Sequence, residues 1–344
     1  MSESAPRLVQ LDALRGLAAL AVVLFHYSTR FEQLYGHQPP LALGLPWGHY
    51  GVNLFFMISG FVIFLSLERS PRAMDFVVSR FSRLYPAYWG ALALTFGLTH
   101  ALGLPDRTVG WEVLLVNASM LQEFVGVASV DAVYWTLAVE LLFYAWSLLA
   151  HRWGGARGLV RLLLGLVGLR LVYVLAQLGW QLDLPWLLQR WLLLPHIAWF
   201  ALGVAIYRHQ HAGPQPGSSL LLLLALLCLA LGEGLAVAGL GLGLCLLLWG
   251  AARRQWRWLE WRPLLWLGAL SYPLYLLHEY IGWALMLALQ RLGWAAPVGV
   301  AAALALSLLL AQGLHAGVEL PGMRRLRQAY RQRQHSRPVL SRGG

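Results

Sequence analysis

Apolar runs of span length recur from one end of this chain to the other, and that pattern leaves it few folds. Ten runs are readable, at residues 9–28, 50–67, 84–104, 132–150, 159–178, 191–207, 218–232, 234–250, 264–289 and 296–317. A helix needs about 20 residues to cross a hydrocarbon layer about 30 Å thick, since each residue adds about 1.5 Å. Only 12% of the 344 residues are charged, about half the share of a soluble domain. Two soluble domains would fit the length, but the long Leu and Ala runs would have no surface to make. The expected fold is all-α: a polytopic transmembrane helical bundle of about ten spans. Residues 218–232 and 234–250 are short and meet at Gly232-Glu233-Gly234, which fits a tight helical pair or something more irregular. Residues 111–121 are apolar but too short to span, and are expected at the surface or as a re-entrant segment.

Arginine sets the expected orientation. All 26 Lys+Arg residues are arginine, and the net charge is +11. With the N-terminus cytoplasmic, 21 arginines fall on that side, Arg7, Arg15, Arg69, Arg72, Arg80 and Arg83 among them. The other side holds Arg30, Arg107, Arg190 and Arg291, and Arg170 lies within a span. The positive-inside rule then puts both termini in the cytoplasm with an even number of spans. In a soluble chain this basic balance would suggest nucleic acid; here the arginines have helices to orient, and no nucleic-acid partner is expected. A transmembrane domain is expected over residues 1–321 and a basic cytoplasmic tail over 322–344, the tail lying near anionic membrane lipids. No soluble domain is expected to be appended, since the longest stretch on the far side is 105–131. The first run carries internal charges and is not read as a secretory signal.

Several polar groups interrupt the apolar runs. In LDALRGLAALAVVLFHY, Arg15 and His26 are eleven residues apart. At about 100° per residue they share one face, about 16 Å apart along the axis. Asp12, one turn before Arg15, can pair with it. Snorkelling would account for Arg15, and a neighbouring helix would satisfy His26. Asn53, Ser59 and Gly60 break the second run and suit close helix packing. Arg80 and Arg83 in SRFSRLYPAYW present together, which suits phosphate or simply topology. Glu140 lies well inside YWTLAVELLFYAW, where a carboxylate is costly unless paired or protonated; its expected partner is a basic group on another helix. SYPLYLLHEYIGW puts Ser271, Tyr275 and His278 near one face, with Pro273 bending or starting the helix. Glu319, at the inner rim, is placed to clamp an arginine. The roles of His278 and His196 stay open. Cys228 and Cys245 are buried thiols in apolar runs. No P-loop, dinucleotide glycine pattern or HExxH motif is present, and no metal is expected.

Together these stretches resemble acyltransferase family 3, integral membrane proteins that include bacterial surface-polysaccharide O-acyltransferases. LDALRGLAALAVVLFHY, GVNLFFMISGFVI, SRFSRLYPAYW, YWTLAVELLFYAW, HIAWFALGVAIY, SYPLYLLHEY and GVELP run in the family's order from residue 11 to 321. Each piece is weak alone; in this order they are specific. Thr136 stands where relatives carry serine, and Leu141 where they often carry a second glutamate. The resemblance implies ten core spans in the bacterial cytoplasmic (inner) membrane. It implies transfer of an acyl group, commonly acetyl, from acetyl-CoA or another acyl-CoA to a hydroxyl. It assigns the family's first-helix arginine and histidine to Arg15 and His26, its paired arginines to Arg80 and Arg83, its buried glutamate to Glu140 and its ninth-helix histidine to His278. On that reading His26 removes the hydroxyl's proton, and Glu140 orients the imidazole or steadies its charge. Arg15, Arg80 and Arg83 hold coenzyme A from the cytoplasmic side, and the acceptor is a glycan or a lipid-linked molecule. Direct transfer and a two-step route through an acyl-carrying residue both stay open, and no evident cysteine nucleophile supports the second. A transporter of an acyl group, glycan or lipid intermediate is the main alternative, because buried charge serves it equally; a scaffold in an envelope-polysaccharide complex is a third.

Overall fold

The computed structural model describes residues 8–335, and among these the chain is helical, with no strand. Arg7 and residues 336–344 of the expected tail lie outside that stretch. The principal helices are α1 (Val9–Phe25), α2 (Gly51–Arg69), α3 (Ala73–Leu102), α4 (Trp135–Trp180), α5 (Ile197–Ala212), α6 (Pro216–Gly232), α7 (Leu235–Ala252), α8 (Arg262–Leu277), α9 (Glu279–Arg291), α10 (Ala296–Leu314) and α11 (Leu320–His335). Five helical stretches among the described residues are long and apolar enough to cross a membrane: Val9–Leu34, Pro46–Arg69, Ala132–Trp180, Leu235–Ala252 and Ala296–Gln334. The chain is therefore a multi-pass membrane protein. The remaining expected spans are helical too but fall short of that standard for visible reasons. α3 is long enough, but Tyr85, Pro86, Tyr88, Trp89 and His100 lower the hydropathy of its stretch beyond Arg83. The sixth run becomes helical only at Ile197, and the ninth is divided at His278.

Local chemistry explains the breaks. Gly155 (φ 58°, ψ −150°) adopts a backbone conformation that is essentially glycine's alone, and it splits α4 where the sequence predicts two spans. Gly234 at φ 99° closes the turn between α6 and α7, so that region is the tight helical pair. Proline stands in the first turn of α6, α8 and α10, where a missing N–H leaves nothing unsatisfied. The segment between α3 and α4 folds back into the bundle. Tyr88, Trp89 and Tyr85, near the middle of α3, donate to the successive carbonyls of Asn117, Ala118 and Ser119 at 2.7, 2.9 and 2.9 Å. Such irregular backbone survives at depth because protein side chains satisfy it.

Glycines decide which helices touch. A Cβ on Gly16 would lie 2.6 Å from the Gly268 nitrogen, and one on Gly268 would strike the Asp12 carbonyl. α1 and α8 therefore cross backbone against backbone. Gly60 and Gly203 bring α2 and α5 together in the same way, against Phe200 and Met57. The α1–α8 contact is parallel. Gly16 meets Gly268 and, farther along both helices, His26 meets His278, each pair separated by 252 residues.

Candidate active site

His26 opens a π turn, His26–Arg30, that links α1 to the short helix Phe31–Leu34. The Phe31 N–H reaches back to the His26 carbonyl, five residues rather than four, a widening often found at functional sites. Trp283 Nε1 also donates to that carbonyl at 3.0 Å, and His37 Nε2 lies 3.0 Å from the next one, Tyr27 O. The Tyr27 hydroxyl donates to the His278 carbonyl at 2.7 Å. The turn is thus held from α9 and from the following loop, and the His26 ring is aimed at the α8–α9 junction.

His278 occupies that junction. Its Nδ1 lies 2.8 Å from the Tyr275 carbonyl and 3.2 Å from that of Leu274. Carbonyls only accept, so Nδ1 carries the proton and Nε2 of the neutral ring keeps its lone pair. His26 Nδ1, 2.8 Å from that Nε2, then donates to it, which leaves His26 Nε2 as the unprotonated nitrogen. Glu279 Oε1 stands 3.8 Å from it. Glu279 is 3% exposed, and its carboxyl lies against the carboxyl of Asp131. Beside it, buried Asp131 accepts the N–H groups of Tyr280 and Val133. His26 and Glu279 line a chamber of about 570 Å³ whose wall includes Trp135, His196, Trp199, Arg170 and Glu233. Such a site can take a proton at His26 Nε2 and meet the resulting imidazolium with a carboxylate.

Arg15, Arg80, Arg83 and Glu140 converge elsewhere, on a pocket of about 70 Å³. Glu140 accepts from Ser59 Oγ at 2.7 Å and Tyr144 Oη at 2.6 Å. The expected pairing of Glu140 with His26 is not formed. α4 meets the ninth run at Thr136, whose hydroxyl is 2.9 Å from that of Tyr275, and Glu140 lies one turn farther along, level with the arginines. His278 is the group that orients His26. Arg15 keeps Asp12 at 3.9 Å, as its spacing predicts. Among the described residues Glu319 clamps no arginine; it pairs with His315 at 2.6 Å.

The pocket lies between two larger spaces. Arg15, Val62 and Arg83 also line a vestibule of about 610 Å³ that carries Arg69, Arg324 and Arg327. Val52, Phe56 and Tyr275 also line the histidine chamber. Vestibule, pocket and chamber therefore follow in order, with one layer of side chains closing the last step. Arg15 and His26 share a helix but serve opposite sides of that layer. Sequence reasoning missed the parts played by Glu279, Asp131, Arg170 and Glu233. Glu279 carried the same signal as Glu140, a carboxylate inside an apolar run.

Known proteins share this sequence pattern. The family described as an acyltransferase domain matches residues 8–315. Protein 2 in the picA locus of Rhizobium radiobacter is 39% identical over 114 residues, 30% of this chain and 54% of that protein. Acyltransferase MdmB of Streptomyces mycarofaciens is 28% identical over 151 residues, 40% of this chain and 38% of that one. Exopolysaccharide production protein ExoZ of Rhizobium meliloti is 32% identical over 120 residues, 28% of this chain and 32% of that one. The chain spans about half or less of the length of these curated relatives. No solved structure matches it. The family match takes in α1 to α10, and with them both histidines, the arginine pocket and Glu140, so the chain belongs to this acyltransferase family.

Proposed function

We propose that the protein is an O-acyltransferase of the bacterial cytoplasmic (inner) membrane. It moves an acyl group, acetyl in the simplest case, from acyl-CoA to a hydroxyl of a glycan or another envelope-associated acceptor. The observation that carries this reading is the fixed chain from the Tyr275 carbonyl through His278 to His26, which leaves a basic nitrogen on the chamber. The acceptor hydroxyl hydrogen-bonds to His26 Nε2. As its oxygen attacks the thioester carbonyl, the proton passes to Nε2, the C–S bond breaks and the thiolate leaves toward the arginines. Glu279, 3.8 Å away, meets the imidazolium. Arg15, Arg80 and Arg83 hold the donor, and Glu140 among them offsets their mutual repulsion. Ligand pockets usually exceed about 300 Å³, so donor entry opens the 70 Å³ pocket by moving side chains of its wall.

About ten spans with both termini cytoplasmic put the arginine vestibule on the donor's side and the histidine chamber on the acceptor's. The parallel α1 and α8 support that topology, because a first and a ninth span must run the same way. A relative named for exopolysaccharide production supports a polysaccharide acceptor. Incubation of the purified protein in nanodiscs with radiolabelled acetyl-CoA and envelope glycans is expected to yield a labelled ester, formed far more slowly with His26→Ala. Passage of a glycan or lipid across vesicles with no labelled product would overturn this reading in favour of a transporter. Mass analysis of envelope glycans with and without the protein identifies the acyl group and the acceptor together.

A further inference from the structure

α11 lies beyond residues 8–315, the stretch that the family matches, yet it is docked on α3 by side-chain hydrogen bonds and a close glycine contact. Tyr330 Oη and Gln334 Nε2 donate to Asp75 Oδ1 at 2.8 and 3.1 Å, and Arg327 Nε donates to Ser82 Oγ at 3.1 Å. A Cβ on Gly322 would lie 2.6 Å from that of Pro86. Docked this way, α11 presents Arg324 and Arg327 to the vestibule, where Arg15, Arg69 and Arg83 already stand. The vestibule's carboxylates are engaged: Asp12 lies 3.9 Å from Arg15, and Glu319 is 2.6 Å from His315. At the next level, Arg80 Nε is buried with no partner among the described residues. Beside the Arg15–Asp12 pair, four more guanidinium groups, of Arg69, Arg83, Arg324 and Arg327, line the cavity; an anion there lowers their mutual repulsion, and their planar forks match phosphate oxygens.

We propose that the vestibule is a bisphosphate-binding site and that α11 supplies half of it. Arg324 and Arg327, with Arg69 and Arg83 opposite, grip the phosphate groups at the nucleotide end of the acyl donor. This deepens the reading above and rests on its claim that the donor enters from the arginine side. It also gives α11 a task of its own, since the site is incomplete without that helix. Lipid headgroups carry the same phosphate chemistry, and the test separates the two sources.

Adenosine 3′,5′-bisphosphate is titrated calorimetrically into the full-length protein in phosphatidylcholine nanodiscs. Binding is expected, and the double variant Arg324→Gln/Arg327→Gln is expected to weaken it at least tenfold. Asp75→Asn/Tyr330→Phe, which loosens α11 without altering the vestibule, is expected to weaken it as well. Melting midpoints check that each variant is folded. Unchanged affinity in both variants overturns the proposal. So does an absence of nucleotide binding coupled with arginine-dependent enrichment of phosphatidylglycerol, which assigns these side chains to lipid. If the wild-type protein fails to bind the nucleotide while labelled ester still forms from acetyl-CoA, the site is refuted and the donor reading stands.

Discussion

The histidine chamber and the arginine side are both polar interiors of a membrane protein, but they are held in different ways. In the chamber, backbone carbonyls fix the His278 ring and His278 fixes His26. In the pocket, hydroxyls of Ser59 and Tyr144 hold Glu140, and the arginines reach in on long flexible stems. A proton position tied to backbone needs no reorganisation when a bond is made. Flexible guanidinium groups suit a ligand that must arrive and leave. On the proposed function the difference separates a place for chemistry from a place for binding, and each of the following experiments can break or sharpen it.

The largest effect is expected from His26→Ala. A positioned general base contributes about 10²–10⁴-fold, so labelled ester formation should fall by about 10³-fold while nucleotide binding at the vestibule is retained. Loss of both would erase the division between the two regions. His278→Ala leaves His26 without the acceptor that fixes its tautomer; a fall of about 10²-fold is expected, within the range of general-base effects. A loss equal to that of His26→Ala would mean that His278 itself touches the reacting atoms.

Packing comes next. Gly16→Ala inserts a methyl group 2.6 Å from the Gly268 nitrogen. Overpacking costs about 1–3 kcal/mol, so the melting midpoint should fall, and ester formation with it, as the two histidines are displaced. Gly239→Ala is the control, since a Cβ there would meet nothing within 4 Å. An equal effect at both positions would remove the α1–α8 crossing as the element that aligns the site.

The smallest effect concerns pH on the arginine side. The Tyr330 hydroxyl, then Gln334 and the Arg72 N–H, hold the Asp75 carboxyl below its usual range. A lowered folded-state pKa stabilises the docked helix above the ordinary carboxylate value, and that contribution is lost as pH falls through the lowered one. Hydrogen-exchange protection of α11, relative to the intrinsic rate at each pH, should therefore fall only in acid, and Asp75→Asn should show the lower protection already at neutral pH. An acid transition unchanged in Asp75→Asn would exclude this carboxylate as its source.

The helices were legible because the constraint on them is local. Lipid demands about 20 apolar residues whatever the rest of the chain does, and glycine and proline mark the ends. The Arg15–Asp12 pair follows from one turn of helix in the same way. The meeting of His26 with His278 was not legible, because it depends on Gly16 seating against Gly268 across 252 residues. No local rule chooses that crossing. Glu140 and Glu279 gave the same signal, a carboxylate in an apolar run, and only the packing of α4 and α9 sends one to the arginines and the other to the histidines. The π turn at His26 also escaped, because its sequence reads as ordinary helix.

The layer of Val52, Phe56 and Tyr275 between pocket and chamber has a bioenergetic consequence. In the proposed orientation, cavities approach it from both faces of the membrane. A voltage that elsewhere falls across about 30 Å of hydrocarbon is then concentrated across a few side chains. On the proposed reading the donor parts that layer, and thiolate and imidazolium then form on either side of the transferred carbonyl, so part of their separation lies along the field. Moving one elementary charge through 100 mV corresponds to about 2.3 kcal/mol. Ester formation in vesicles poised at opposite voltages should therefore differ in rate, and on the proposed function the cell's energised state becomes a direct input to the reaction.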